Sequence, residues 1–440
     1  RTFRGVEAIA MTFPPEFVRS ALARLRPLVS PVVDALAKRR LAAAVNIADL
    51  RLCAKRRMHE MCFGYLDSGA DDEVTLRRNK DAFSSWELHY NVLTATAPET
   101  IDLSTKLLGL DVKLPFLCCP CAGQRMFHTE GEIGVANAAL AAGAAFSLST
   151  LATTRPSEFG PDFGDHAKIF QLYVWKDRAL VRAMLQQARE ANFQVLALTV
   201  DLTWYGNRER DVRNGFTVPP SHSFQQVWGA VNAPAWTWDY LSTPPYTYAL
   251  LDHATPAESL TQFTHDQLKA DFGWADAAWL VQEWNGPVLL KGVVRPDDAK
   301  RAVEEAGFSG VWVSNHGGRQ LDGAPAAFDM LPAIRNAVGP DATVVVDGGV
   351  QRGTDVLKAL ACGADAVGIG KPMLYGLGAG GEAGVARALD MLKIELSRGM
   401  GLLGCHDVQD LKARGHDLVR KREASLRDAM GARYSKAGII

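Results

Sequence analysis

The chain has 440 residues, 48% of them hydrophobic, and a formal net charge of −1. That length can bury a large core, as one barrel with additions or as two domains. The charge balance argues against nucleic acid as a partner, because phosphate binding needs a positive surplus. Seven cysteines, an odd number, fit a reducing compartment better than a disulfide framework.

Residues 1–57 carry twelve Lys and Arg against four acids. A solvated helical face is the first reading of that excess, and a contact with a membrane surface or partner the second. The start is arginine-rich and acid-poor, which also suits a transit segment, but it lacks a secretory layout. Helical patterning over 16–66 ends near Tyr65, with Ser68-Gly69-Ala70-Asp71-Asp72 as the stop. No apolar run in the chain reaches the roughly 18–20 residues that span a bilayer.

From Leu114 onward, short apolar runs alternate with amphipathic stretches. The predicted strands are Phe116–Ala122, Ala145–Thr150, Lys168–Val174, Val195–Asp201, Val288–Gly292, Gly310–Ser314, Thr343–Gly348 and Ala366–Gly370. Helices are predicted at Glu130–Ala142, Ala179–Ala191, Pro296–Ala306, Ala327–Val338 and Gly353–Cys362, with a long one at Glu382–Gly399. Alternating strand–helix units imply an α/β (β/α)8 TIM barrel over about 58–410, with 1–57 as a helical extension and 411–440 as a tail. A doubly wound sheet is the runner-up, but no G-x-G-x-x-G follows an early strand. Cys118-Cys119-Pro120-Cys121 lies inside a strand pattern, so buried thiols are expected there and no metal.

The connection after the fourth strand, about 202–287, is anomalously long. It holds Pro219, Pro220, Pro234, Pro244 and Pro245, with Trp204, Trp228, Trp236, Trp238 and Trp274 among its residues, and reads as a lid or docking insert. Its first part, Gly206–Phe216, is dense in charge. A solvated loop is the plain reading; an arginine folding back toward an anion is the sharper one.

In such barrels the reacting groups come from the carboxyl ends of the strands. Those ends offer Ser149, Gln171 and Tyr173, Thr199 and Asp201, Lys291, Ser314 and His316, Asp347-Gly348-Gly349 and Gly370-Lys371. Polar residues interrupting apolar strands must be satisfied by one another or by a ligand. The mix suits a polar heterocycle, and the glycine-rich ends of the last two strands suit its phosphate. In the run Ser314–Gly323, a histidine able to take a proton lies two glycines from an arginine able to grip a carboxylate. That pairing suggests proton abstraction from a small organic acid.

The run Ser314–Gly323 resembles the active-site signature of the FMN-dependent L-2-hydroxy acid dehydrogenases and oxidases. Phe170–Val174, Leu198–Asp201, Leu290–Gly292 and Asp347–Val350 support it in the same order. The resemblance implies FMN as cofactor and two-electron oxidation of a small L-2-hydroxy acid to a 2-oxo acid. It implies His316 as base, Asp201 as its partner, and Tyr65, Arg208 and Arg319 around the substrate carboxylate. Tyr173 would lie near the substrate hydroxyl and Lys291 at the flavin edge where negative charge develops. Ala122, Ser149, Gln171, Thr199, Ser314, Asp347, Gly348, Gly349, Gln351, Gly370 and Lys371 would complete the cofactor site.

Two departures from the family pattern, Gln351 and Lys371, fall where arginines are expected at the phosphate, implying weaker FMN retention. Leu151 leaves room for a methyl and crowds a phenyl ring, which favours lactate over mandelate. The Gly206–Phe216 run looks closest to dehydrogenases with a quinone or cytochrome acceptor, cytoplasmic or peripheral on the inner membrane; an oxygen-using oxidase is the alternative. The first 57 residues contain no histidine, so a bis-histidine haem site is not expected there. A homotetramer is a family expectation.

Overall fold

The computed structural model describes residues 15–160, 163–217, 223–251 and 267–423. Expectations for residues 1–14, for Pro219 and Pro220, and for the end of the tail lie outside these. Eight parallel strands close into a barrel in chain order: β1 (Phe116–Cys118), β2 (Ala145–Ser149), β3 (Lys168–Tyr173), β4 (Val195–Thr199), β5 (Val288–Val293), β6 (Gly310–Val313), β7 (Thr343–Asp347) and β8 (Ala366–Ile369). β8 closes on β1 with Val367 opposite Phe116. The TIM barrel expected from the alternating pattern is therefore the fold. β1 stops short of its predicted end at Ala122 because Pro120 has no N–H for the ladder.

Strand alternation divides the core in two. Phe116, Phe146, Phe170, Leu196, Leu290, Val311, Val344 and Val367 pack outward with the helices. Their neighbours Leu117, Ala145, Ile169, Ala197, Leu289, Trp312, Val345 and Ala366 fill the barrel interior. The hairpin strands Thr105–Leu107 and Leu110–Val112 plug its floor with Leu107 and Val112.

Five of the predicted crossover and outer helices stand within two residues of their expected bounds. Arg178–Glu190 shows why. The Asp177 carboxylate accepts the N–H groups of Ala179 and Leu180, and Val181, Met184, Leu185 and Ala188 form the buried stripe. The stretch predicted as one helical region over 16–66 is three helices: α1 (Pro15–Ala43), α2 (Ile47–Arg57) and α3 (Glu60–Asp67), followed by α4 (Val74–Ser84). The side chains of Asn46 and His59 cap α2 and α3 and so fix the breaks. Ile47, Leu50 and Ala54 are buried in the same core as the barrel helices, which joins the end of the 1–57 segment to the barrel.

The insert after β4 is not slack. Among described residues it contains the helices Glu209–Arg213, Phe224–Asn232, Pro234–Ser242 and Trp274–Trp284. The final helix, Lys371–Leu403, starts directly at the end of β8 and kinks at Gly380–Gly381, so the predicted Glu382–Gly399 is its second half.

Asp67, at the end of α3, ties these parts together. Arg51 of α2 grips its carboxylate with two hydrogen bonds of 2.7 Å, Arg210 of the insert adds one at 2.9 Å, and Tyr375 of the last helix donates at 2.7 Å. Burial pushes this carboxyl up, but the Arg51 and Tyr375 hydrogen bonds and the nearby Lys371 together hold it well below the usual range. A depressed folded-state pKa gives stability that is complete above the unfolded value of about 3.9 and lost as pH falls toward the folded one. Asp67→Asn is therefore expected to destabilise the protein by about 3 kcal/mol at pH 7. In thermal denaturation, its deficit against the native chain should shrink steadily below about pH 4.

Candidate active site

The carboxyl ends of the strands open into a cavity of about 440 Å³. The same alternation that fills the barrel interior continues upward and points Gln171, Tyr173, Thr199, Lys291, His316 and Asp347 into it. Tyr65, Ala122, Arg208, Arg319, Gly348, Gly349, Gln351, Gly370 and Lys371 line it as well. Asp201, Ser149 and Ser314 lie behind this wall.

His316 holds a left-handed backbone conformation, φ 58°, which turns its ring toward Asp201. Its Nδ1 stands 2.9 Å from Asp201 Oδ1. Burial raises the Asp201 carboxyl, yet His316 and then Lys291 outweigh it and leave its pKa below the ordinary value. Asp201 can approach because residue 292 is glycine. At φ 100° a Cβ there would lie 2.6 Å from Asp201 Cγ. With Nδ1 committed to Asp201, Nε2 of the imidazole is the atom free to take a proton.

Two hydrogen-bonded sets stand beside this pair. In the first, Ser314 Oγ donates to Asp347 Oδ1 at 2.6 Å, and Lys291 Nζ donates to Ser314 Oγ at 3.0 Å and lies 3.1 Å from Asp347 Oδ2. Burial works against the lysine charge, but Asp347 and Asp201 more than offset it and raise its pKa. An ammonium so held is a fixed positive charge inside the cavity wall. In the second, Ser149 Oγ donates to Gln171 Oε1 at 3.1 Å, and Gln171 Nε2 donates to Thr199 Oγ1 at 3.0 Å. The two serines are fully buried and orient Gln171 and Lys291 rather than line the cavity themselves.

At one end of the cavity, Arg319 donates to the carbonyls of Tyr65 (2.6 Å) and Ser68 (3.1 Å), and its guanidinium lies 4.7 Å from the Tyr65 ring centre. Arg208 reaches the Arg319 carbonyl at 3.4 Å and Gln320 Oε1 at 3.3 Å. Burial, and then the neighbouring Arg208, lower the Arg319 pKa. Two guanidiniums brought together on one wall make a site for an anion. Tyr173 is buried beside them, and burial followed by Tyr65 and Asp201 pushes its phenol well up, so it is a neutral hydroxyl.

Gly348 and Gly349, which follow Asp347, have φ 94° and 85°. A Cβ on Gly349 would sit 1.9 Å from the Asn79 carbonyl oxygen, so only glycine lets α4 close on this turn. Lys371 Nζ donates to the carbonyls of Asp67 (2.9 Å) and Ser68 (3.0 Å). Burial and then Arg319 pull its pKa well down. The Gln351 side chain donates to its neighbour's carbonyl, Val350 O, at 2.7 Å.

Several lining residues were not anticipated. Lys80 of α4 adds a cation beside the glycine turn, and Tyr205 and Tyr248 line the cavity from the insert. Tyr248 is placed by a backbone hydrogen bond from Ala249 to the Ala152 carbonyl at 2.9 Å, a tertiary contact without local signal. Cys119 and Cys121 also line it, and the alternation from Leu117 would have found both. Burial pushes the Cys121 thiol up to about 12, and the two thiols stay protonated. No cluster of metal-ligating residues occurs among the described residues.

An amide, a hydroxyl and a fixed ammonium, together with a glycine turn and a helix start in the same cavity, fit a flavin mononucleotide. The sequence matches the FMN-dependent dehydrogenases over residues 54–418. The chain belongs to the FMN-dependent dehydrogenase family. It is 42% identical over 374 residues to the L-lactate oxidase of Nostoc sp., covering 84% of this chain and 97% of that one. It is 41% identical over 386 residues to a Mycobacterium tuberculosis protein provisionally named an L-lactate dehydrogenase, covering 87% and 92%. The crystal structure of a monotopic membrane protein, (S)-mandelate dehydrogenase, superposes with a TM-score of 0.81 at 32% identity, covering 86% of this chain and all of that one. This member of the family is thus an FMN-dependent oxidoreductase of small L-2-hydroxy acids, as the signature run implied.

Asp201→Asn should keep its flavin and lower the rate of anaerobic flavin bleaching by a 2-hydroxy acid by on the order of 100-fold, read by stopped flow.

Proposed function

We propose that the protein oxidises L-lactate to pyruvate and passes the electrons to a quinone or cytochrome acceptor. The observation that carries this reading is the convergence of Arg208 and Arg319 beside the His316–Asp201 pair, in a cavity also lined by Leu151. FMN, when bound, supplies a two-electron acceptor. Arg319, Arg208 and Tyr65 hold the substrate carboxylate and so set which face of the α-carbon is presented. The Tyr173 hydroxyl hydrogen-bonds the substrate hydroxyl oxygen. His316 Nε2 takes a substrate proton, and Asp201 stabilises the imidazolium that results. Lys291, held by Ser314 and Asp347, would place a fixed positive charge beside the bound cofactor. The amides of Gly348 and Gly349, the start of the helix at Gly370, and Lys371 would hold the phosphate, while Gln351 contributes no charge there.

Leu151 supports lactate as substrate, because a branched side chain at the cavity wall leaves room for a methyl and little for a phenyl ring. A second reading, an oxidase that reduces oxygen to hydrogen peroxide, is favoured by the similarity to the Nostoc lactate oxidase. No described helix is long and apolar enough to cross a membrane. Peripheral attachment to the inner membrane from the cytoplasmic side, and assembly as a homotetramer, complete the proposal.

The decisive experiment is an anaerobic absorption spectrum before and after L-lactate, followed by air. Bleaching by L-lactate and not D-lactate, with slow return of colour, is the expected result. Rapid return of colour with hydrogen peroxide would establish the oxidase, and no bleaching by L-lactate would remove it as substrate. Leu151→Ala should raise the kcat/KM ratio of L-mandelate to L-lactate by roughly 10- to 100-fold in a dye-coupled assay.

A further inference from the structure

A helix with one face on a protein and the other in water is normally polar outside. α1 is apolar on both sides. Leu22, Val29 and Val33 are half-buried and Leu41 is buried on its inner side, where Arg26 donates to Ser242 Oγ at 2.8 Å on the helix Pro234–Ser242. On the outer side Leu25, Leu28, Val32 and Leu36 are 48%, 74%, 62% and 56% exposed. Their spacing of three, four and four residues puts them in one stripe along the helix. Arg24 stands at one end of this stripe and Lys38, Arg39 and Arg40 at the other, all exposed, and Asp34 is the single acid between Arg19 and Ala43.

We propose that this outer face of α1 is a lipid-contacting surface that lies in the headgroup region of an anionic membrane. The inference rests on the peripheral attachment proposed above and assigns the element that makes it. Basic groups at both ends of an apolar stripe match an anionic bilayer, with the side chains entering the acyl boundary and the cations meeting lipid phosphates. A second copy fits less well. Pairing two such stripes in either direction brings basic ends against basic ends, and Asp34 alone cannot neutralise them. The catalytic cavity is built from other elements, so the attachment would leave the chemistry intact.

The test is flotation of the flavin-loaded full-length protein with phosphatidylcholine vesicles, with and without one quarter phosphatidylglycerol. The native chain should float with the anionic vesicles, and at least 10-fold less with the neutral ones. Leu28→Glu/Val32→Glu should lower flotation at least 10-fold while keeping flavin content and bleaching by substrate. Lys38→Gln/Arg39→Gln/Arg40→Gln should do so for the anionic vesicles alone. Absence of flotation by the native chain would overturn both the attachment and its assignment. Flotation that survives the stripe variant but is lost on Trp228→Glu, an exposed position on Phe224–Asn232, would keep attachment and overturn this surface. A halved mass of the stripe variant in solution, with native flotation absent, would make the face an interface between copies.

Discussion

The active site depends on the two-residue alternation of a parallel strand continued past the point where the interior stops being apolar. Inside the barrel, Ile169, Ala197, Leu289, Trp312 and Val345 occupy inward positions. Two residues on, the same faces carry Gln171, Thr199, Lys291, Ser314 and Asp347, and one step further Tyr173, Asp201 and His316. The geometry that excludes water below therefore aims polar groups at a common point above. None of these strands could slip by a residue without burying a charge and exposing a core side chain.

Polar groups placed this way cannot be left alone, and their pairing explains the roles. Ser314 and Asp347 hold the Lys291 ammonium, while Ser149 and Thr199 fix the Gln171 amide. At the substrate end the logic reverses. Arg208 and Arg319 stand on one wall, and burial first, then Arg208, lowers the Arg319 pKa against the opposing pull of Asp211. Two guanidiniums on one wall suit an anion, which in the function proposed above is the carboxylate of the 2-hydroxy acid.

Much of this was legible in the sequence because strand period and strand-end residues are local signals. The eight strands, their crossover helices and the inward polar residues follow from periodicity near Gln171, Thr199, Lys291 and His316. Contacts between distant segments were not legible. Tyr248 enters the cavity through the pairing of Ala249 with Ala152, and Lys80 arrives because α4 packs on Gly349. The split of the first helical region was hidden for a different reason. Asn46 and His59 act as caps only where the chain turns, and a hydrophobic pattern spanning both turns reads as continuous. Ser149 and Ser314 were placed at the right strand ends, but burial decides that they brace other side chains.

The end of one short helix, α3, supports two cations of the cavity wall at once. Its Tyr65 carbonyl and the adjoining Ser68 hold Arg319, while the Asp67 and Ser68 carbonyls hold Lys371. Arg51, Arg210 and Tyr375 pin the same turn through the Asp67 carboxylate. Arg319 and Lys371 thus lean on three backbone carbonyls, those of Tyr65, Asp67 and Ser68, within four residues of chain. A change that disturbs that turn therefore displaces Arg319 and Lys371 together. In the function proposed above, one local distortion at 65–68 would weaken the grip on the organic acid and on the cofactor phosphate at once.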